Sequence, residues 1–196
     1  MRPTSSSLLR HVRDLGDAQA WEELLLQYES YLLSFVRRLG VRRDDAPDVV
    51  QEVTLKLVKT LPNFQYDRSK GRFRDYLRQV TRSAIADWVK RNYSRREVAL
   101  GEEIIASLQN RPETEKHWDE CFDNAALEVV HGRVRPKTNP ATWECYARHI
   151  VKGQPAEEVA RRLGVTTNRV YVYSSRVKAK VREEFDAYRK EMGEDQ

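Results

Sequence analysis

The sequence lacks most features of an exported, membrane-embedded or disulfide-linked protein. Two cysteines among 196 residues cannot form a disulfide framework, and so few thiols are typical of a reducing compartment. No apolar run approaches the roughly eighteen residues that a membrane span requires. The N-terminal region also has no apolar segment of the kind found in export signals. We therefore expect a cytoplasmic protein without direct membrane insertion.

Signatures of catalysis are also missing. The chain has no Ser/His/Asp pattern, no glycine-rich phosphate-binding loop and no paired catalytic carboxylates. It also has no internal repeat. It does contain 40% hydrophobic and 33% charged residues, which is typical of a globular protein with a strongly solvated surface. The length suits one large or two small domains. These observations predict a protein that is not an enzyme and binds no cofactor.

The charge is distributed unevenly along the chain. Residues 159–182 contain seven Lys and Arg residues and no acid. Residues 68–96 contain ten Lys and Arg residues against two aspartates, and the rest of the chain is acidic although the net charge is +5. Two basic blocks separated by an acidic region predict two surfaces that meet the same polyanion.

Apolar residues recur at helical spacing along nearly the whole chain, so we predict an all-α fold. One helix carries the stripe Trp21, Leu24, Leu25, Tyr28, Tyr31, Leu32 and Phe35 and ends at Gly40. The next helix opens at Asp45 as N-cap, with Pro47 and Asp48 in its first turn, and stops at Pro62. A third helix has the core face Phe73, Leu77, Val80, Ala84, Ile85 and Trp88, with a cationic ladder of Arg74, Arg78 and Arg82.

The pattern loosens beyond residue 94, through Gly101 and Pro112. We interpret residues 95–115 as a flexible acidic linker with room for one short helix. The predicted organisation is therefore a first small helical domain over residues 1–94, the linker, a second helical domain over 116–190 and a tail over 191–196.

The segment VTTNRVYVYSS, within residues 165–175, is rich in β-branched and aromatic residues, which favour strands. The four-residue period from Val177 to Phe185 nevertheless favours a helix. A short helix precedes it and ends at Gly164, which predicts a helix-turn-helix with Thr166 or Thr167 as cap of the second helix. The predicted outer face, which offers groups for phosphates and base edges, consists of Thr166, Thr167, Asn168, Arg169, Tyr171, Val172, Ser174, Ser175 and Lys178.

Three stretches in this order resemble the extracytoplasmic-function (ECF) sigma factors of bacterial RNA polymerase. They are DAPDVVQEVTLKLVKTLPNF (45–64), GRFRDYLRQVTRSAIADWVKR (71–91) and PAEEVARRLGVTTNRVYVYSSRVKAKVREE (155–184). The N-terminal stretch SSLLRHVRDLGDAQAWEEL is similar to planctomycete-type variants of that family. The resemblance implies a sigma region 2 and a sigma region 4, with core RNA polymerase and promoter DNA as partners, and possible restraint by an anti-sigma factor.

The resemblance also implies roles for individual residues of region 2. The polymerase-binding motif corresponds to Asp45, Asp48, Gln51 and Glu52, with Pro47 where Glu is commoner in the family. Recognition and melting of the −10 element would use Phe64, Tyr66, Arg74, Tyr76, Arg78, Arg82, Ser83, Lys90 and Arg91. Tyr76 stands where the family usually has Trp, and Ser83 where it commonly has Asn.

In region 4, the resemblance assigns recognition of the −35 element to the outer face of the second helix of the helix-turn-helix. Ser174-Ser175-Arg176 stands where relatives often have Lys-Ser-Arg. The interpretation requires both basic helices to present their arginines outward. Composition leaves open that the acidic linker instead folds back on one basic face.

Two rival interpretations remain at this point. A stand-alone helix-turn-helix regulator would explain the C-terminal region but not the first basic helix. A Cys2His2 zinc site is conceivable because His117 and Cys121, and Cys145 and His149, are each spaced i, i+4. We favour the simpler interpretation that both cysteines are small buried apolar residues and that no metal binds.

Overall fold

The computed structural model describes residues 6–64, 72–93 and 98–192. Every regular element in these ranges is helical, which confirms the predicted all-α fold. None of the helices described is long and apolar enough to cross a membrane. The α-helices are α1 Ser6–His11, α2 Ala18–Arg38, α3 Ala46–Thr60, α4 Phe73–Asn92, α5 Val98–Gln109, α6 Arg111–Val134, α7 Pro140–Tyr146, α8 Ala156–Leu163 and α9 Thr167–Glu191.

The chain divides into two compact units. Unit 1 comprises residues 1–125 and 191–196, and unit 2 comprises residues 126–190. The boundary between residues 125 and 126 lies inside α6, whereas the sequence predicted a first domain that ends at residue 94. The predicted linker therefore belongs to unit 1.

Unit 1 is built on α2, α3 and α4, where α3 packs against both of the other helices. The Asp17 carboxylate caps α2 by accepting a hydrogen bond from the Ala20 backbone N–H at 3.0 Å. Gly40 follows the α2 C-cap with φ +93°, a conformation that favours glycine, as the sequence predicted. Asp45 is the N-cap residue of α3, but its side chain makes no capping hydrogen bond.

The predicted flexible linker is largely helical, because it contains α5 and the start of α6. Ile104 and Leu108 of α5 are buried, as are Trp118 and Phe122 of α6. Each pair is spaced i, i+4, so each helix turns one apolar edge inward. The acidic residues around these four positions obscured the pattern in the sequence. The prediction of a flexible linker over residues 95–115 was wrong for the part that the structure describes.

Unit 2 contains α7, a π-helical turn at Ala147–Val151, α8 and α9. Asn139 caps α7 by accepting hydrogen bonds from the backbone N–H groups of Ala141 and Thr142. Gly164 ends α8 in the left-handed conformation, with φ 65° and ψ 34°, and α9 begins three residues later. A small core of Cys145, Ala156, Val159, Ala160 and Val170 joins the elements. This arrangement is the predicted helix-turn-helix.

Candidate nucleic-acid interface

The exposed face of α9 carries most of the residues that the sequence assigned to it. The Thr166 hydroxyl accepts a hydrogen bond from the Arg169 backbone N–H at 3.3 Å, so Thr166 is the capping threonine. Thr167 is half-buried. The exposed positions are Thr166, Asn168, Arg169, Tyr171, Val172, Ser175 and Lys178.

The basic block of unit 2 faces solvent in full. Its seven side chains are exposed, and none forms an ion pair with a carboxylate in the described part of the chain. The Arg169 guanidinium lies 5.7 Å from the centre of the Tyr173 ring, which holds the cation at the start of the helix. The block consists of Arg161, Arg162, Arg169, Arg176, Lys178, Lys180 and Arg182.

Ser174 departs from the predicted outer face, because it is only 2% exposed. It follows Val170 by four positions and precedes Val177 by three, so it lies on the buried stripe of α9. Its hydroxyl has no hydrogen-bond partner within the described residues. The prediction that Ser174 contacts DNA is therefore corrected: Ser174 is a core position.

The residues of the alternative zinc site are buried or contact other groups. The His149 ring nitrogen Nδ1 lies 2.9 Å from the Gln154 carbonyl oxygen, and the His149 ring packs on Tyr171. Burial raises the pKa of both cysteine thiols, Cys121 and Cys145. Across the described residues, no three His, Cys, Asp or Glu side chains come together as metal ligands would.

Arg74, on α4, is turned into unit 1 and does not face solvent. Its side chain is 4% exposed, and its Nη2 donates a hydrogen bond to Asp119 Oδ1 at 2.9 Å. The guanidinium also lies 4.5 Å from the centre of the Phe122 ring. The prediction that Arg74 holds a phosphate is wrong for this conformation, because α6 supplies both a carboxylate and an aromatic face to the cation.

Arg78 and Arg82, the next two arginines of the ladder, also contact groups within unit 1. Arg78 Nη2 lies 3.7 Å from Asp75 Oδ1 and 3.6 Å from Glu115 Oε1, and its side chain is 19% exposed. Arg82 Nη2 donates a hydrogen bond to the Leu108 carbonyl oxygen at 2.5 Å. Neither Leu108 nor Glu115 was anticipated from sequence, because each lies more than twenty residues from its arginine.

Among the cations of α4 that were predicted to bind DNA, the two that are exposed lie at its C-terminal end. Lys90 is exposed, and Arg91 is exposed but pairs through Nη2 with Glu52 Oε1 at 2.9 Å. Two residues predicted for different partners, DNA and polymerase, therefore neutralise each other.

The Ser83 hydroxyl, on α4, belongs to a small polar cluster with α3. Lys56 Nζ donates hydrogen bonds to Ser83 Oγ at 2.6 Å and to Asp87 Oδ2 at 2.5 Å. The hydrogen bond and charge of Lys56 lower the pKa of Asp87. Lys56 was not singled out in the sequence, and nothing local marks it because its partners lie on another helix.

Two aromatic residues predicted to capture bases stack on each other. The Phe64 and Tyr76 rings have centres 4.3 Å apart with an interplanar angle of 28°. The Tyr76 hydroxyl donates a hydrogen bond to Thr60 Oγ1, at the end of α3. Tyr66, the third predicted aromatic residue, lies outside the described residues.

The predicted polymerase-binding residues line one exposed side of α3. Asp48 and Gln51 are exposed, and Asp45 and Glu52 are half-buried. Asp48 and Gln51 line a groove of about 470 Å³ between α2 and α3, whose apolar floor includes Leu25, Leu32 and Val50. Asp45 and Glu52 lie outside that lining, and Glu52 pairs with Arg91. An acidic rim around an apolar groove is suited to a basic, amphipathic helical partner.

Comparisons with known proteins agree on the family. The model of sigma-70 region 2 matches residues 24–95. The chain is 24% identical over 163 residues to the ECF RNA polymerase sigma factor SigE of Mycolicibacterium smegmatis, covering 83% of this chain and 60% of that protein. It is 26% identical over 150 residues to the ECF RNA polymerase sigma factor BldN of Streptomyces coelicolor, covering 76% of this chain and 54% of that protein.

The chain thus spans little more than half the length of these relatives. No solved structure matches it significantly. The planctomycete-type assignment stays a prediction. The region 2 match includes both α3 and α4, and the two relatives, both sigma factors of one class, are similar over 83% and 76% of the chain. Residues 24–95 thus match sigma-70 region 2, and most of the chain is similar to extracytoplasmic-function sigma factors of bacterial RNA polymerase.

Proposed function

We propose that the chain binds core RNA polymerase, directs it to specific promoters and supports the initiation of transcription. Unit 1 would act as sigma region 2, and unit 2 would act as sigma region 4. The observation that carries the proposal is the region 2 match, which spans the acidic side of α3 and the basic helix α4. The protein would act where polymerase and DNA are found, in the bacterial cytoplasm.

The polymerase would dock on α3 through Asp45, Asp48, Gln51 and Glu52. Support comes from the exposure of Asp48 and Gln51 beside the apolar groove of α2 and α3. Carboxylates on the rim would favour a basic partner and set its orientation, while the apolar floor would supply most of the affinity.

The −35 element would be recognised by α9. Its support is the acid-free basic block, whose side chains are exposed on the two helices of the helix-turn-helix, five of the seven on α9. Lys178 and the other cations would bind phosphates irrespective of sequence, whereas Asn168 and Arg169 would read base edges.

The −10 element would be bound by α4 and the loop before it, with a single strand held on cations and unstacked bases held on aromatic rings. The protein would perform no chemistry of its own. Binding to polymerase would offset the cost of unstacking, so the isolated chain should bind promoter DNA poorly. An anti-sigma factor as a further partner stays a prediction.

Transcription in vitro tests the proposal. The purified chain is mixed with core polymerase and a library of genomic promoter fragments, and the transcription start sites are mapped. We expect co-elution with core polymerase and start sites that share −35 and −10 motifs. A chain that neither co-elutes with core polymerase nor supports promoter-specific transcription would contradict the proposal.

A stand-alone helix-turn-helix regulator is the second candidate, because the exposure of α9 would serve either function. The substitutions Asp48→Lys and Gln51→Ala discriminate between them, since both residues are exposed on α3. A sigma factor should lose polymerase binding, whereas a regulator should keep its DNA binding and never need polymerase. The matched control is Glu22→Lys, an exposed carboxylate of α2 outside the groove.

A further inference from the structure

Helix α5 lies along α4 at the surface where the −10 strand is proposed to bind. A Cβ atom placed on Gly101 of α5 would lie 3.3 Å from Tyr93 Cβ and 3.3 Å from Val89 Cγ1. This close approach is available only because residue 101 has no side chain. Helix α5 is thus packed directly on the C-terminal half of α4.

The groove between the two helices, of about 870 Å³, is lined by residues predicted to bind DNA. Arg78, Arg82, Ser83 and Lys90 contribute from α4, and Ile105 contributes from α5. A nucleic-acid strand would need these same side chains. The chain's own segment therefore occupies part of the surface that the strand would use.

The contact between Arg82 and Leu108 substitutes for a phosphate contact. The Leu108 carbonyl belongs to the last turn of α5, where carbonyl groups have no partner within the helix and carry the negative end of its dipole. Arg82 donates to that carbonyl, so a cation of α4 is satisfied by a helix C-terminus. Arg78 is satisfied in a similar way by the Glu115 carboxylate.

Helix α5 is held less firmly than the helix that follows it. It buries Ile104 and Leu108, whereas the first half of α6 buries the larger Trp118 and Phe122. Because burial scales with apolar area, α5 can separate from α4 at a smaller cost than α6 can. Asn110 lies between the two helices, so a separation of α5 from α4 would have to bend the chain there. It would also break the hydrogen bond from the Thr114 hydroxyl to the Ser107 carbonyl.

We propose that α5 is an autoinhibitory cover: it must leave α4 before a DNA strand can bind there, and Arg74 stays buried under α6 throughout. The proposal rests on the proposed sigma function. In the closed conformation Arg82 is held by the Leu108 carbonyl of α5, and displacement of α5 releases it. Arg78 keeps its contacts with Asp75 and with Glu115 of α6, and Ser83 is already exposed. The chain would then bind single-stranded DNA weakly until polymerase or another partner displaces α5.

One test uses a single substitution to displace α5 from α4. Gly101→Leu forces a side chain into the contact with Val89 and Tyr93. The matched control is Gly132→Leu, because a Cβ there would meet nothing within 4 Å. Both changes replace a helical glycine by leucine, so any gain in helix propensity is shared.

The measurement is fluorescence anisotropy of the full-length chain with a labelled single-stranded oligonucleotide of mixed sequence. We expect Gly101→Leu to bind about tenfold more tightly than the wild type, because the apparent affinity depends on the fraction of molecules in which α5 has left α4. Gly132→Leu should bind with the same affinity as the wild type. Equal affinity of all three proteins would overturn the proposal. Circular dichroism checks that each variant is folded.

A second test fixes α5 against α4 with a disulfide, and it does not depend on whether the first variant folds. Tyr93→Cys and Gly101→Cys place two thiols with a Cβ separation of about 3.3 Å, close to the roughly 3.5–4.5 Å of natural disulfides. Both native cysteines are replaced by Ala. The disulfide would fix α5 at residue 101, while α6 fixes its other end, so α5 could not leave α4.

The oxidised variant with Tyr93→Cys and Gly101→Cys should support little transcription with core polymerase. Reduction of the disulfide in the same sample should restore transcription. If the oxidised variant supports as much transcription as the wild type, the proposed autoinhibition by α5 is contradicted and the proposed sigma function is not. If neither the wild type nor the reduced variant supports transcription from any promoter, the proposed sigma function is contradicted.

Discussion

Arg74 and Asp119 are joined by a hydrogen bond of 2.9 Å between Nη2 and Oδ1, although they lie 45 positions apart in the sequence. The pair connects α4 to α6, and the ring of Phe122 lies 4.5 Å from the guanidinium. An arginine predicted to face DNA is thereby part of the interior of unit 1. This relationship changes what each cation of α4 is expected to do.

Replacement of Arg74 should therefore destabilise the protein. Arg74→Ala removes a buried side chain and opens a cavity beside Phe122, so we expect the free energy of unfolding to fall by about 3 kcal/mol. Asp119 is 53% exposed, so the loss of its cation adds little. Urea denaturation followed by circular dichroism measures it. Arg91→Ala is the matched control on the same helix, because Arg91 is 56% exposed and its pair with Glu52 lies at the surface. The control should lose less than about 1 kcal/mol, and equal losses would show that Arg74 is not structural.

Ser174→Ala should stabilise unit 2. The substitution removes a buried hydroxyl that has no partner in the described residues, and we expect a gain of about 1 kcal/mol in the free energy of unfolding. Ser175→Ala is the matched control because Ser175 is the exposed neighbour and shares any gain in helix propensity. Urea unfolding and duplex DNA binding are both measured. Ser175→Ala should weaken DNA binding without a comparable gain in stability, and loss of DNA binding by Ser174→Ala would contradict the core assignment.

The stability of unit 2 should decrease in mild acid because of His131. Its ring nitrogen Nε2 lies 2.9 Å from the Tyr146 hydroxyl, and burial lowers the His131 pKa below its ordinary value of 6.5. Folding therefore favours the neutral ring. The stabilisation is complete above the unfolded pKa and is lost as the pH falls towards the lower folded pKa.

Urea unfolding at several pH values between neutral and mildly acidic conditions measures this dependence. His131→Gln cannot titrate, so its stability should change less over the same interval. An identical pH dependence in the wild type and in His131→Gln would assign the effect to another group.

Lys178 should contribute to DNA binding as a phosphate contact. Its ammonium group is exposed on α9, so Lys178→Ala should weaken duplex DNA binding for all sequences alike. The slope of the logarithm of affinity against the logarithm of salt concentration should decrease by about 1. Lys137→Ala is the control, since Lys137 is 72% exposed in the same unit but lies outside α9. The control should leave the slope unchanged, and a similar change in both would show a nonspecific charge effect.

The sequence predicted the class of fold and most of the helix boundaries well, because local chemistry controls them. Gly40 and Gly164 end helices in conformations that favour glycine, and Thr166 caps α9 through its own side chain. The face of α9 was also largely predictable, since Val170, Val177 and Val181 repeat with helical spacing. Ser174 was missed because a serine on an apolar stripe has no apolar signal of its own.

The partners of the α4 cations were beyond sequence reasoning. An i, i+4 ladder of arginines is equally compatible with a solvated face and with a face covered by another helix. The choice depends on where α5 and α6 pack, and that is decided by Ile104, Leu108, Trp118 and Phe122 inside a segment that is acidic overall.

The amino-acid sequence by itself determined the helices and the turn of the helix-turn-helix, because capping, left-handed glycines and periodicity act over a few residues. Only the tertiary structure decided which basic helix is open. The seven cations of α9 and its neighbour α8 remain in solvent. Arg74, Arg78 and Arg82 of α4 each contact a group that lies 26 to 45 positions away, and Arg78 also contacts Asp75 on its own helix. Such contacts depend on how distant apolar residues pack, and no local pattern encodes them.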